Sequence, residues 1–170
     1  MQDSRDRFAF LGREFLTWLW FASETNNGFV AVPELGNVRV EFGQRLTLES
    51  AGNVREGSTV SADAPSQTEE ARTALRVGKK VARARLLLDL GERHFEVGLD
   101  AETLTYAGVK LPALMAGDDA MKTEERLRLL DEVENVVDSL YLTFVNLRRD
   151  EAQWEPVREA LRAWVQEVAA

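Results

Sequence analysis

The sequence predicts an α+β fold. It reads as one domain over residues 1–170, an antiparallel sheet of short strands packed with an N-terminal aromatic helix and two C-terminal helices, the first of them long. Two observations carry this. Near both ends of the chain, apolar residues recur at spacings of three and four, as in helices that bury one face; through the middle they alternate with polar residues, as in half-buried strands. Clusters of Gly, Asn and Asp fall between the alternating runs, where turns between strands need them.

Residues 8–24 predict the first helix. Phe8, Leu11, Phe15, Trp18, Leu19 and Ala22 share one face, while Phe10, Trp20 and Phe21 lie off it. A helix apolar around most of its circumference is expected to be buried on more than one side, by neighbouring elements or by another subunit. Thr25-Asn26-Asn27-Gly28 is turn chemistry. Strands follow over 28–62: Phe29 to Val32 is a short apolar run, Val38, Val40 and Phe42 alternate with Asn37, Arg39 and Glu41, and Leu46 and Leu48 follow beyond Gly43. These predict short antiparallel strands joined by tight turns, with residues 52–67 mostly loop and one edge strand at 54–61.

Residues 67–77 predict a short helix stopped by Gly78. A strand meander occupies 79–109, with strands near 79–90, 92–99 and 103–109. A long helix is expected over 123–149, with Thr123 as its N-cap. Leu130, Val133, Val137, Leu140, Phe144 and Leu147 form its stripe, readable as core or as a self-association seam, and Arg148 and Arg149 suit the negative end of its dipole. The last helix, 153–168, aligns Trp154, Val157, Leu161, Trp164 and Val168, which puts Pro156 in its first turn.

Composition narrows the chemistry. No cysteine is present, which removes disulfides, zinc–thiolate sites and cysteine nucleophiles together. A single histidine, His94, makes multi-histidine metal sites and Ser/His/Asp schemes hard to build; it falls on the polar side of a strand, where a surface role is the plain reading. Asp118-Asp119 reads as loop, and Asp131, Glu132, Glu134 and Asp138 spread around the outside of a helix, so no carboxylate set converges on a metal. The glycines fit neither the phosphate-binding loop nor the dinucleotide fingerprint. Binding rather than catalysis is therefore expected, with no catalytic residue, metal or cofactor assigned. The start is polar, and the apolar stretch at 8–22 is too short to span a bilayer and carries Arg13 and Glu14. A cytoplasmic protein without membrane contact is expected.

One segment runs against the overall charge. The chain has 29 acidic and 21 basic residues, a net charge of −8, yet residues 71–88 hold six basic residues and no acidic one. In a strand over 79–90, Ala82, Ala84, Leu86 and Leu88 share one face, and Lys79, Arg83 and Arg85 share the other. Arg76 and Lys80 extend the patch from either side of the preceding turn. A row of cations on an open sheet face suits a phosphate backbone, which positions a protein without being read for sequence. The same residues also fit an ordinary solvated face balanced by acids such as Glu92 and Glu96.

At Phe15-Leu16-Thr17-Trp18-Leu19-Trp20, and again at Gly78-Lys79-Lys80-Val81-Ala82-Arg83-Ala84-Arg85-Leu86-Leu87-Leu88-Asp89, the chain resembles the C-terminal half of the RdgC family of recombination-associated proteins. The order of features agrees, including Gly28-Phe29 after the aromatic helix and the strand Leu104-Thr105-Tyr106-Ala107-Gly108-Val109-Lys110, and the resemblance covers roughly residues 10–145. It implies a nucleoid-associated homodimer that encircles double-stranded DNA without sequence preference and restrains recombination. It also implies a DNA-facing role for Lys79, Lys80, Arg83 and Arg85. Members of the family are usually longer, and the helix from about 151 onward has no counterpart there; a dimer of another shape, a second protein chain supplying a missing half, or a relative that has lost DNA binding follows as an alternative. The rival reading is a protein–protein module that docks a partner through the aromatic and long amphipathic helices. In that case the strand cations are expected to be paired individually with neighbouring acids.

Overall fold

The computed structural model describes residues 4–50 and 57–167, with side chains from Phe10 onward. The described residues form four helices and a six-stranded antiparallel sheet. The strands are β1 (Phe29–Val32), β2 (Gly36–Glu49), β3 (Gly57–Ser61), β4 (Lys80–Leu90), β5 (Arg93–Asp100) and β6 (Tyr106–Lys110). The helices are α1 (Ser4–Thr25), α2 (Glu69–Arg76), α3 (Asp119–Arg149) and α4 (Glu151–Glu167). This is the α+β architecture expected. Among the described residues, no helix is long and apolar enough to cross a membrane.

The sheet runs β1-β2-β4-β5-β6, with β3 also paired to β2. Since β4 occupies one edge of the long β2, β1 and β3 lie one after the other along its opposite edge. Helices cover one face only. Leu46, Leu48, Ala84, Leu86, Leu88, Phe95, Val97 and Leu99 point into the core, while their alternates remain exposed or half-exposed. Period-two patterning with one wet face is what an antiparallel sheet permits.

α1 lies in the middle of the helical layer. Phe15, Leu16, Trp18, Leu19 and Trp20 are all buried, so the helix is covered on several sides as its composition predicts. Its neighbours are elements of the same chain: Trp18 packs on Phe144 of α3, and Trp20 and Phe21 meet Trp164 of α4. Phe10 departs from this pattern at 50% exposure. Phe8 lies outside the described side chains. The α3 stripe is core: Val133, Val137, Leu140 and Phe144 are buried, with Leu130 and Leu147 at the margin. Trp154 and Trp164 of the α4 stripe are buried too, and Val168 lies outside the described residues.

Three boundaries differ from expectation, and a fourth is described only in part. Gly43 does not end a strand; β2 continues through it, with an irregularity in its pairing to β4 between Phe42 and Leu46. A Cβ at Gly43 would come within 2.6 Å of Leu87 Cδ1, so the glycine leaves room at the bulge for the Leu87 side chain. The edge strand predicted at 54–61 is described over Gly57–Ser61; residues 54–56 lie outside the described residues. α3 starts earlier than predicted because Asp118, not Thr123, is the N-cap, its carboxylate accepting from the Met121 N–H at 2.8 Å. α4 starts at Glu151, which places Pro156 inside the helix and beyond its first turn. Asp150 alone separates α3 from α4, and its side chain accepts from the N–H groups of Ala152 and Gln153. That cap lets α4 begin one residue after α3 stops.

Charged side chains fasten the layers. Arg13 of α1 is buried and pairs with Glu49 at 3.1 Å and Glu102 at 3.7 Å. Glu14 lies between Lys80 at 3.3 Å and Arg148 at 3.1 Å, and Arg148 also stacks over Trp154 at 5.2 Å. On the helical side of β6, burial first, and then Asp138 and Glu134 of α3, push the Tyr106 phenol up to about 12. The phenol therefore stays neutral well above physiological pH.

Candidate functional site

The open face of the sheet carries the clearest concentration of positive charge among the described residues, though it is not the set of residues the sequence suggested. Arg83 and Arg85 do share this face of β4, two residues apart and so roughly 6.5–7 Å apart along the strand. The other three expected members point elsewhere. Lys79 precedes the strand and donates to the Ser58 hydroxyl at 2.8 Å. Lys80 turns to α1 and pairs with Glu14. Arg76 pairs with Glu69 of its own helix at 3.0 Å.

For Lys79 the physical cause is a second irregularity in strand pairing. Thr47 faces Arg83 and Leu48 faces Val81, so β4 has an extra residue at Ala82, and both Val81 and Ala82 are buried. Period-two alternation therefore changes phase between Arg83 and Lys80.

Strand pairing brings in two cations that sequence spacing did not. Arg45, on the same face of β2, lines the surface beside Arg83 and Arg85. Lys110, at the end of β6, faces Glu96 of β5 with Nζ 3.1 Å from Oε2. Glu96 also accepts from Arg85 Nε, and a guanidinium Nη2 of Arg85 donates to the Gly108 carbonyl at 2.8 Å. Gly108 has φ +59°, and a Cβ there would lie 2.9 Å from Arg85 Nη1, so glycine makes room for this arginine. Arg83 donates from Nε to Asp100 Oδ2 at 2.8 Å, leaving a side chain that is still 69% exposed. Arg45 makes no hydrogen bond or ion pair among the described residues.

Four cations thus gather around two carboxylates. The remaining charges on this face pair off further along it: Arg39 with Glu41, and His94 with Asp89 at 2.6 Å. His94 is exposed, on the polar side as expected, with Asp89 as its partner.

Both central carboxyls are held ionised. The Arg85 guanidinium, against the effect of partial burial and together with Lys110, holds Glu96 below the usual carboxylate range. Burial raises Asp100, but Arg83 and the N–H groups of Thr103 and Glu102 outweigh it and hold that carboxyl low as well. A depressed folded-state value means stability that is complete at neutral pH and is lost as pH falls through the ordinary values of 4.5 and 3.8 and then through the lower folded ones. Wild type is therefore expected to lose more unfolding free energy between about pH 5 and pH 3 than the Glu96→Gln/Asp100→Asn double variant. Urea titrations at the two pH values measure this, and equal losses would mean the pairs do not form in solution.

Among the described residues, no three acidic or histidine side chains converge in a way that would hold a metal ion. No known protein-family model matches the chain, and no curated protein matches it.

Proposed function

We propose that this protein binds rather than catalyses, and that its open sheet face holds the phosphate backbone of double-stranded DNA without reading sequence. It would act as a homo-oligomer in recombination or replication, as the RdgC resemblance implies. The observation that carries the reading is the local excess of Arg45, Arg83, Arg85 and Lys110 over Glu96 and Asp100 on one open face of a chain whose net charge is −8. From β2 to β6 the patch crosses three strand spacings, roughly 14 Å, enough to meet several phosphates.

Existing ion pairs do not forbid this. An exposed pair such as Arg83–Asp100 is worth less than about 1 kcal/mol, so its cation can turn to a phosphate at little cost. The pairing does favour the second reading, in which a protein partner docks and the cations are incidental. That reading must use surfaces other than the aromatic stripe of α1 and the core stripe of α3, such as the exposed Leu127 and Leu142 of α3.

Fluorescence anisotropy with a random 30-base-pair duplex separates them. With about four phosphates neutralised per chain, affinity is expected to fall roughly 150-fold between about 50 and 200 mM salt. The Arg45/Arg83/Arg85/Lys110→Ala variant should lose binding. The Arg76/Lys79/Lys80→Ala variant should retain it. No binding at low salt, or equal binding by the first variant, sinks the proposal in favour of partner docking.

A further inference from the structure

We propose that the trough between Arg45 and Arg83 on the open sheet face is a seat for a single phosphate monoester group. This rests on the reading of that face as phosphate-binding and narrows it to a ligand class: a small phosphorylated molecule, held by its phosphate.

The trough has a volume of about 500 Å3, within the range of ordinary small-ligand sites. Its walls follow from strand register. Thr59 of β3, Thr47 of β2, Arg83 of β4 and Asp100 of β5 stand in one row straight across the sheet. Arg45 stands two residues from Thr47 on the same strand face, across the bulge from Arg85. Gly98 leaves the floor without a side chain, and a Cβ there would come within 2.7 Å of the Ala107 carbonyl.

What this trough lacks is acceptors. Arg45 has its whole guanidinium uncommitted among the described residues, and Arg83 has committed only Nε. The Thr47 and Thr59 hydroxyls lie 3.3 Å apart; one hydrogen serves that contact, and the other is free to donate. Asp100 cannot meet the demand. Its Oδ2 takes Arg83, and its Oδ1 takes the Glu102 N–H and the Thr103 N–H and hydroxyl. A ligand that fits must therefore bring oxygens and negative charge.

Charge selects among such ligands. Among the charged residues lining the trough, Arg45, Arg83 and Arg85 outnumber Asp100 by two. A phosphate monoester carries about −1.5 to −2 at neutral pH and offers three terminal oxygens. At this one seat a lone diester or carboxylate brings only one charge and two such oxygens, whereas a DNA backbone matches the excess by spreading several diesters along the whole face. Forked guanidinium donors from neighbouring strands suit the monoester geometry.

The test is calorimetric titration of the full chain with ribose 5-phosphate and with AMP, with adenosine as the phosphate-free control. Both phosphates are expected to bind and adenosine is not. Arg45→Ala and Arg83→Ala should each weaken binding by at least about tenfold, the usual effect of losing charged hydrogen bonds. Binding of AMP without ribose 5-phosphate would mean the base is recognised, and overturns the seat. So would no binding of either up to about 10 mM, or unchanged affinity in Arg45→Ala. The duplex arm keeps the two proposals apart. Ribose 5-phosphate binding without duplex binding upholds the seat and defeats the DNA reading. Duplex binding that ribose 5-phosphate neither joins nor displaces does the reverse.

Discussion

Replacing Phe144 by alanine is expected to lower stability by about 3–5 kcal/mol, as for a fully buried aromatic residue. The ring has no exposed surface and meets Phe15 at 5.8 Å, Trp18 at 5.5 Å and Trp154 at 5.9 Å between centroids. One side chain therefore joins α1, α3 and α4, and each aromatic contact adds about 0.5–1.5 kcal/mol to simple area burial. Total stability of a domain this size is about 5–15 kcal/mol, so the variant approaches unfolding at room temperature. Urea titration followed by tryptophan fluorescence measures the loss. If the alanine variant does not fold, Phe144→Leu, which keeps most of the volume, gives a smaller and measurable cost. A cost below about 1 kcal/mol for the alanine variant would mean the three helices do not share one core.

The second large effect reverses an intrinsic preference. Glycine inside a helix is worse than alanine by about 1 kcal/mol, so Gly12→Ala in α1 would ordinarily stabilise. Here the added Cβ would lie 1.7 Å from the Ala101 carbonyl oxygen, and 2.7 Å from its carbon. That obstacle is backbone and cannot rotate away; Ala101 is itself held by its N–H bond to Ala82 O at 2.8 Å. Separating helix from sheet costs more than propensity returns, and a net loss of about 2–3 kcal/mol is expected. Thermal unfolding of Gly12→Ala checks the sign: a rise in Tm would show that α1 does not approach the end of β5 this closely. Because Asp100 precedes Ala101, the same substitution is also expected to disturb the corner that holds Arg83.

The elements were legible where one periodicity ran unbroken. Phe15, Trp18 and Leu19 announced a helix, and Phe95, Val97 and Leu99 a strand, because burial of a single face imposes the spacing directly. Local chemistry was harder wherever a residue type serves two purposes. Gly43 reads as a turn when it is a bulge, since both uses exploit the missing Cβ. Asp118 reads as loop when it caps a helix, since a cap sits by definition just outside one.

The candidate surface was half legible for a related reason. Arg83 and Arg85 follow from alternation within β4, but the extra residue at Ala82 changes the phase and takes Lys79 off that face. Arg45 and Lys110 come from strands that sequence order places 40 and 25 residues from Arg85, and only pairing brings them close. Their polar positions opposite Leu46 and at the end of the last strand would have suggested them, had the wet faces of all the strands been laid side by side.

The burial of α1 has a bearing on how the chain is made. α1, which is made before the elements that cover it, carries Phe15, Trp18 and Trp20, and the side chains that cover them include Tyr141, Phe144 and Trp164. Synthesis of the roughly 140 residues from Thr25 to Trp164 takes about 7–28 s at about 5–20 residues per second. Throughout that interval the most apolar helix in the protein has no finished surface to pack on. Arrival of α3 and α4 is thus the event that completes the core, and a chain lacking them would leave those aromatic rings open to water.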